Sequence, residues 1–389
     1  MFKKIAIKTG VLTTVFILAV IVSSYVTNRG NTDMSADMGG ATLPRISFMT
    51  EGYEVNSLPG YKSDMTLTSM RDTLTPVTNN QLDMNIAKYD NQIQKVYWQV
   101  YTLNGKKCIQ EGTIKDVQDT VTLNFRNTKI LKEERILKVT LYLDNQNIYF
   151  YTRIKNSADC NYKASLDFAN NFHSAALEGQ GDKIESYLET DTDSDADSST
   201  YQEVTLASTQ AQVLWGSLAP QVSGNVYWEI KECNENYTSL VLKYQVKCAG
   251  DTDYADRLYS VKEFFRIRTG EDAQQYLLDY DRTMNQRFDG KTTALNQKGV
   301  LVGIAPTELE YETNTDGTIV AFIEDNQLWH YDKKADEMSL VFGFADAENM
   351  DVRTLCDLHD IRLISVDEKG NTTFTVVGYM NRGVHEGQV

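Results

Sequence analysis

The spacing of apolar residues changes several times along the chain, and each change predicts a different element. From Thr9 to Thr27 there is no charged residue, and Val11–Val26 is dominated by Val, Ile, Leu and Phe. Nineteen residues at about 1.5 Å rise cover about 28 Å, close to the roughly 30 Å hydrocarbon core of a bilayer. Past residue 43 the period falls to two. Arg45–Met49 and Leu82–Ile86 alternate, and Lys95–Tyr101 is β-branched and aromatic, with an Asn104-Gly105 turn and a return strand from Lys107. Val121–Phe125, Leu137–Leu143 and Ile148–Ile154 complete the set. Many short strands without a helix predict an antiparallel β-sandwich of immunoglobulin-like kind over 43–155.

At residue 164 the period becomes helical. Leu166, Phe168, Ala169, Phe172 and Ala176 fall near a 3.6 spacing within Ala164–Leu177, and Gly179-Gln180-Gly181 ends the run. Shorter helices are expected over Asp182–Leu188 and Gln210–Leu218, with a strand near Glu203–Ala207. Longer strands follow at Asn225–Cys233, Tyr237–Cys248, Leu258–Ile267 and Tyr276–Tyr280. Helices followed by an antiparallel meander give the order of an α+β cone over 164–290, as in nuclear-transport-factor-like or cystatin-like domains. From 295 to 389, strands such as Thr318–Ile323, Gln327–Tyr331 and Met338–Phe342 are joined by polar turns at Asp316-Gly317, Asp325-Asn326 and Asp332–Asp336. They predict β-propeller-like blades, with a second round starting at Ile361 and turning at Lys369-Gly370-Asn371. Closing a propeller takes at least about four blades, so this part is expected to be truncated, or else a small sheet domain. The fold class is therefore mainly β with α+β, behind an N-terminal transmembrane helix.

Charge adds a direction. Formal net charge is −16, and the only charges among the first 28 residues are Lys3, Lys4 and Lys8, so the remainder carries −19. Lysines ahead of the apolar run keep residues 1–8 in the cytoplasm as a basic tail. Residues 9–27 then form a single-pass anchor in the lipid bilayer, 28–42 a polar, Gly-containing linker, and the rest is extracytoplasmic. A cleaved signal peptide is the competing reading, although Ser23–Thr27 has no Ala-x-Ala exit. A body this acidic repels phosphate backbones, so no nucleic acid is expected as a partner.

Candidate chemistry is sparse. Asp191, Asp193, Asp195 and Asp197 alternate like the start of a calcium loop, but Ala196 stands where the turn needs Gly and Gln202 where a bidentate Glu would sit. A solvated acidic loop is the plainer reading, and calcium is the one candidate cofactor. Arg266, Arg268 and Arg282 form a candidate binding cluster, provided their strands adjoin. The five cysteines, Cys108, Cys160, Cys233, Cys248 and Cys356, show no C-x-x-C and read as free thiols. The His385-Glu386 pair sits among loop residues. No G-x-S-x-G or G-x-x-x-x-G-K-[ST] occurs, and no catalytic residue is assigned.

Three phrases carry a resemblance: Tyr151–Ile154, Tyr280–Gln286, and Gly378–Gly383 with His385-Glu386-Gly387. On these, most of the exposed chain resembles a group of uncharacterised membrane-anchored extracytoplasmic multidomain proteins of Gram-positive anaerobes. In layout it is also similar to membrane-anchored regulators of cell-wall sensor kinases, the YycH kind. The expectation is a non-enzymatic, membrane-tethered binding or sensory-scaffold protein of the cell envelope, partnered by an envelope protein or polymer. A membrane regulator of a sensor kinase and an envelope glycan or peptide hydrolase are the alternatives.

Overall fold

The computed structural model describes residues 8, 10, 12–20, 35–126, 128–189, 201–249, 257–288, 295–296, 299–303, 308–344 and 352–389. Among them no helix is long and apolar enough to cross a membrane. Of the expected anchor, 12–20 are helical with exposed side chains, whereas 9, 11 and 21–27 lie outside the described residues. The rest is mainly β, with several sheets.

The first unit contains β1 (Arg45–Thr50), β2 (Tyr53–Leu58), β3 (Leu74–Val77), β4 (Gln81–Ala87), β5 (Ile93–Thr102), β6 (Cys108–Ile114), β7 (Thr120–Asn124), β8 (Arg135–Leu143) and β9 (Asn147–Asn156). They form two sheets, β2-β1-β4-β7 and β3-β9-β8-β5-β6. Alternation decides the faces: Leu82, Met84 and Ile86 on β4, and Val96, Trp98 and Val100 on β5, are buried. The Asn104-Gly105 turn joins β5 to β6, with Gly105 at φ 71°. Pro76 lies on β3, an edge strand, where a missing N–H is tolerated.

The second unit contains α1 (Tyr162–Leu177), β10 (Glu203–Thr205), α2 (Gln210–Val213), β11 (Pro220–Cys233), β12 (Thr238–Cys248), β13 (Arg257–Thr269) and β14 (Gln275–Gln286). α1 buries Leu166, Ala169, Phe172, His173 and Ala176 against the β11–β14 meander. The expected helix at 182–188 is instead two 3-10 turns, Gly181–Lys183 and Glu185–Tyr187. The helix expected over Gln210–Leu218 is only the four residues of α2, started by a capping box between Thr209 and Gln212.

These two units are not separate bodies. β11 runs parallel to β2 at Trp228 and Val55, so the meander and the first of those two sheets make one nine-stranded sheet, β10-β14-β13-β12-β11-β2-β1-β4-β7. One apolar core runs from Leu43 to Met284. Asn56 pins the joint. It is fully buried, with φ 53°. Its side-chain N–H groups donate to the Leu74 carbonyl at 3.0 Å and Thr75 Oγ1 at 2.8 Å, and its oxygen accepts the Ile230 N–H at 2.8 Å. Asn tolerates the left-handed backbone better than most residues.

The third unit contains β15 (Leu295–Asn296), β16 (Gly299–Val300), β17 (Tyr311–Thr313), β18 (Ile319–Glu324), β19 (Gln327–Asp332), β20 (Glu337–Phe342), β21 (His359–Val366) and β22 (Thr372–Gly378). β17 to β20 form a four-stranded antiparallel meander, and the β21–β22 hairpin packs against β17 and β18. Asp325 and Asn326, at φ 45° and 56°, make the two-residue turn with two left-handed positions that suits a right-twisted hairpin.

Residues 35–42, expected to belong to a free linker, are held by this unit. Ala36 N–H donates to the Leu340 carbonyl at 2.7 Å, and Gly383 N–H to the Gly40 carbonyl at 3.1 Å. Buried Glu386 accepts from Thr42 N–H at 2.7 Å, Thr42 Oγ1 at 2.9 Å and Leu43 N–H at 3.1 Å. Arg353 donates to the Leu43 carbonyl at 2.6 Å. Gly383, at φ 80°, must be glycine, because a Cβ there would collide with the Met38 carbonyl oxygen. His385 and Glu386 therefore do not act as a pair: Glu386 clamps the strap, and His385 is exposed beside Gln388.

Asn56→Ala removes three buried hydrogen bonds and leaves the Ile230 N–H and Leu74 C=O without partners in the core. The expected loss is about 2–4 kcal/mol, read from urea unfolding. An unchanged midpoint would refute the pinning role.

Candidate functional site

The outer face of the meander carries charge at positions that strand pairing forces together. Lys243 on β12 lies directly opposite Lys262 on β13. Like charges opposite one another destabilise a sheet unless something neutralises them. That something comes from the third unit: Asp357, just ahead of β21, accepts from Lys243 Nζ at 2.8 Å and Lys262 Nζ at 3.0 Å. Glu229 on β11 pairs with Lys243 at 3.1 Å and Lys231 at 2.7 Å, and Lys231 reaches Asp72 at 2.6 Å. The chain of charges thus crosses the joint between the first two units and ends on the third.

Beside it is a cleft of about 250 Å³. Its floor is Lys243, Ser260, Lys262 and Asn285, and its wall is the Asp325-Asn326 turn with Asp357 and His359. Ser260 Oγ donates to Asp325 Oδ2 at 2.9 Å. Burial would raise the Asp357 carboxyl, but Lys243 and Lys262 outweigh it and hold it well below the usual range. Burial likewise opposes charge on Lys243, yet Glu229 and Asp357 push its pKa well up. These groups keep fixed charges at neutral pH. Burial pushes the Cys356 thiol up, which disfavours the thiolate. Burial lowers His359, which is neutral at pH 7 beside the Phe344 ring at 4.8 Å. Asp325 differs: burial raises it to about 6, against Ser260 and Arg287. The cleft can therefore offer fixed charges, amide and hydroxyl contacts, and one carboxyl that titrates near neutrality.

A second cluster fills the other face of the meander, under α1. Glu263 is 1 % exposed. It accepts from His173 Nδ1 at 2.9 Å, from the Tyr280 hydroxyl at 3.3 Å and from the Tyr244 hydroxyl. Burial would raise its carboxyl, but His173, Arg282 and Tyr244 hold it lowered and ionised. An ionised carboxylate only accepts, so His173 donates from Nδ1. These groups satisfy one another in a packed interior, an arrangement that specifies the core.

The three arginines do not converge. Arg266 and Arg268 lie on the outer face of β13; Arg266 is near the Tyr237 ring at 5.0 Å and Arg268 over Tyr276 at 5.2 Å. Arg282, opposite Glu263, is on the inner face and fully buried. It donates to the Val213 and Gln212 carbonyls at 2.9 and 2.7 Å and stacks 3.8 Å from the Trp215 ring centroid. Asp191, Asp193, Asp195 and Asp197 lie outside the described residues. Among the described residues no three His, Cys, Asp or Glu side chains are grouped to hold a metal ion.

Two signals for the inner cluster are present in the sequence. Glu263 falls in phase with Tyr259, Val261, Phe265 and Ile267, and His173 in phase with Leu166, Ala169 and Ala176. A charged residue in the apolar phase marks a buried, partnered group. The cleft has no such signal, since its parts come from segments about 100 residues apart. The sequence matches no protein-family model and no curated protein.

Glu324, next to Asp325, is 1 % exposed, and neither carboxylate oxygen has a hydrogen-bond partner among the described residues. Burial, then Asp325, raises its pKa to about 9. Between about pH 4.3 and 9 the folded chain keeps a proton that the unfolded chain releases, so stability falls as pH rises through that window. Glu324→Gln is expected to flatten this fall, gaining on the native chain from pH 5 to 8 by at most about 1.4 kcal/mol per unit. Urea midpoints at each pH measure it; parallel curves would show Glu324 ionised in the folded chain.

Proposed function

We propose that this protein is a non-enzymatic, membrane-tethered extracytoplasmic binding or scaffold protein of the cell envelope, anchored in the bilayer by residues 9–27. In this reading the first unit is an immunoglobulin-like sandwich, the second a nuclear-transport-factor-like or cystatin-like cone, and the third a propeller-like sheet. The likeness to membrane-anchored proteins of Gram-positive anaerobes belongs to the same proposal.

The observation that carries it is the state of the cleft. Lys243 and Asp357 pair and hold charge across neutral pH beside hydroxyl and amide groups, which suits recognition of a polar ligand. Its volume of about 250 Å³ falls below the roughly 300–1,000 Å³ of pockets that take whole small ligands. One polar residue or sugar unit of an envelope protein or polymer fits that scale. Leu12, Phe16 and Leu18 leave 70 %, 69 % and 55 % of their surface uncovered, and lipid is the natural cover for such a helix. Because residues 35–42 are strapped to the body, only 28–34 separate it from the anchor, at most about 25 Å of chain.

The full chain should sediment with membranes through a carbonate wash and be cleaved by protease added outside whole cells. Purified in detergent, it should be retained on isolated cell-wall material, and Lys262→Glu, which reverses a charge at the cleft, should lower the retained fraction about tenfold, equivalent to about 1.4 kcal/mol. Equal retention of both proteins, or none of the wild type, would overturn the cleft as the binding site.

A second reading, regulation of a sensor kinase through the anchor, is favoured by the clamp of Glu386, Arg353 and Gly383 on residues 39–43. A ligand that shifts the third unit would pull on the chain leaving the membrane. Glu386→Gln should then change kinase output while membrane levels stay constant, and should speed protease cleavage within 35–43. Faster cleavage with unaltered output would end this reading.

A further inference from the structure

Taking the cleft as the binding site, we infer that it selects the acetamido group of an N-acetylated amino sugar, holding the amide between His359 and Asn285 with the methyl against Phe344. Strand register builds the floor. Ser260 on β13 lies opposite Asn285 on β14, and Lys262 opposite Thr283, so hydroxyl, carboxamide and ammonium groups stand in two adjacent rows. His359, the first residue of β21, forms part of the wall and is 8 % exposed. Its ring meets the buried Phe344 ring edge to face at 4.8 Å. The Asn326 backbone lies near the imidazole, yet neither ring nitrogen completes a hydrogen bond among the described residues. Asn285 Oδ1 is also shut off from water and also lacks a partner there. Buried polar atoms without partners are uncommon in folded proteins and call for a physical reason. Here they stand on the floor and the wall of one cleft, and a bound amide supplies the reason.

A neutral imidazole offers one N–H donor and one nitrogen acceptor, and Asn285 Oδ1 accepts. A secondary amide is the complement. Its carbonyl takes the imidazole N–H, and its N–H is given to Asn285 Oδ1. Ligand entry turns the ring and the carboxamide toward it. An acetamido group ends in a methyl, which suits the Phe344 ring. The sugar hydroxyls then meet groups with capacity to spare. Lys262 is 49 % exposed and reaches Asp357 at 3.0 Å, which leaves further N–H groups on its ammonium. Asp325 takes the Ser260 hydroxyl on Oδ2 and keeps its other oxygen for a ligand donor. An uncharged ligand also leaves the bridge of Lys243, Asp357 and Lys262 intact. An amino sugar without the acetyl group would bring an ammonium toward those two lysines. A plain hexose would leave both buried acceptor and donor unpaired, the situation in which polar sites reject an analogue most strongly. A peptide amide has the same donor and acceptor, but chain continues on both sides of it, so it brings no methyl end to Phe344. A cleft of about 250 Å³ suits one sugar residue entering end-on better than an extended peptide.

The test uses the full chain in a detergent without a sugar headgroup, with calorimetry and saturation-transfer NMR. The probes are N-acetylglucosamine, glucosamine, glucose and N-acetylalanine methylamide. N-acetylglucosamine should bind about tenfold or more tighter than glucose or glucosamine, a difference on the scale of one hydrogen bond. Its acetyl methyl should receive the most saturation. Asn285→Leu should lose the preference, and so should Asn285→Ser if the leucine variant does not fold. His359→Gln should keep it, because its carboxamide again offers a donor and an acceptor. Equal binding of N-acetylglucosamine and glucose, saturation led by the ring protons, tighter binding of the peptide amide, or an unchanged preference in the Asn285 variants would overturn the inference. Wall retention that depends on Lys262, with no affinity for the acetylated sugar, would overturn it while leaving the cleft as a binding site. Sugar binding lost in Asn285→Leu, with wall retention indifferent to Lys262→Glu, would uphold it and fault only wall retention through the cleft.

Discussion

A backbone N–H of β11 and a carbonyl of β3 end in the same dry region, and the side chain of Asn56 satisfies both. An unpaired amide in such a place costs about 1–3 kcal/mol, so the parallel contact of β11 with β2 depends on this one residue being able to turn left-handed and bridge. Everything downstream follows from that contact. It merges two sheets into nine strands, lets a single core extend from Leu43 to Met284, and presents the outer face of the meander as a floor on which the third unit can sit.

The floor and the third unit are matched through charge. Lys243 and Lys262 face each other because register puts them there, and Asp357 relieves the repulsion. On the inner face the same logic runs in reverse: Glu263 is buried first, and His173, Tyr244 and Tyr280 supply its donors. Glu324 shows what happens when partners do not arrive: the group keeps its proton. One sheet therefore carries a satisfied interior cluster and a half-open polar cleft on opposite faces, separated only by the strand period of two.

The C-terminal residues act as fastening. Tyr379 donates its hydroxyl to the Gly60 carbonyl at 3.0 Å and meets the Tyr61 ring edge to face, while Arg382, Gly383 and Glu386 hold residues 39–43. The phrases Tyr151–Ile154, Tyr280–Gln286 and Gly378–Gly387 thus fall on joints: Arg153 at the β9–β11 contact, Tyr280 and Arg282 in the inner cluster, and Asn381 to Glu386 on the strap. They read as structural constraints of this fold.

Local periodicity was enough to determine the mainly β character, the long helix near Ala164–Leu177, the meander after it, and the Asn104-Gly105 and Asp325-Asn326 turns, because each rests on interactions a few residues long. Even the inner cluster left a trace, as a Glu and a His in apolar phase. Two things had no local signature. The shared nine-stranded sheet depends on an edge-to-edge contact between Val55 and Trp228. The sorting of Arg266 and Arg268 to one face and Arg282 to the other depends on register, with a bulge between Arg266 and Ile267. Each is fixed by burial of surfaces distant in the chain, and only the folded arrangement of those surfaces decides it.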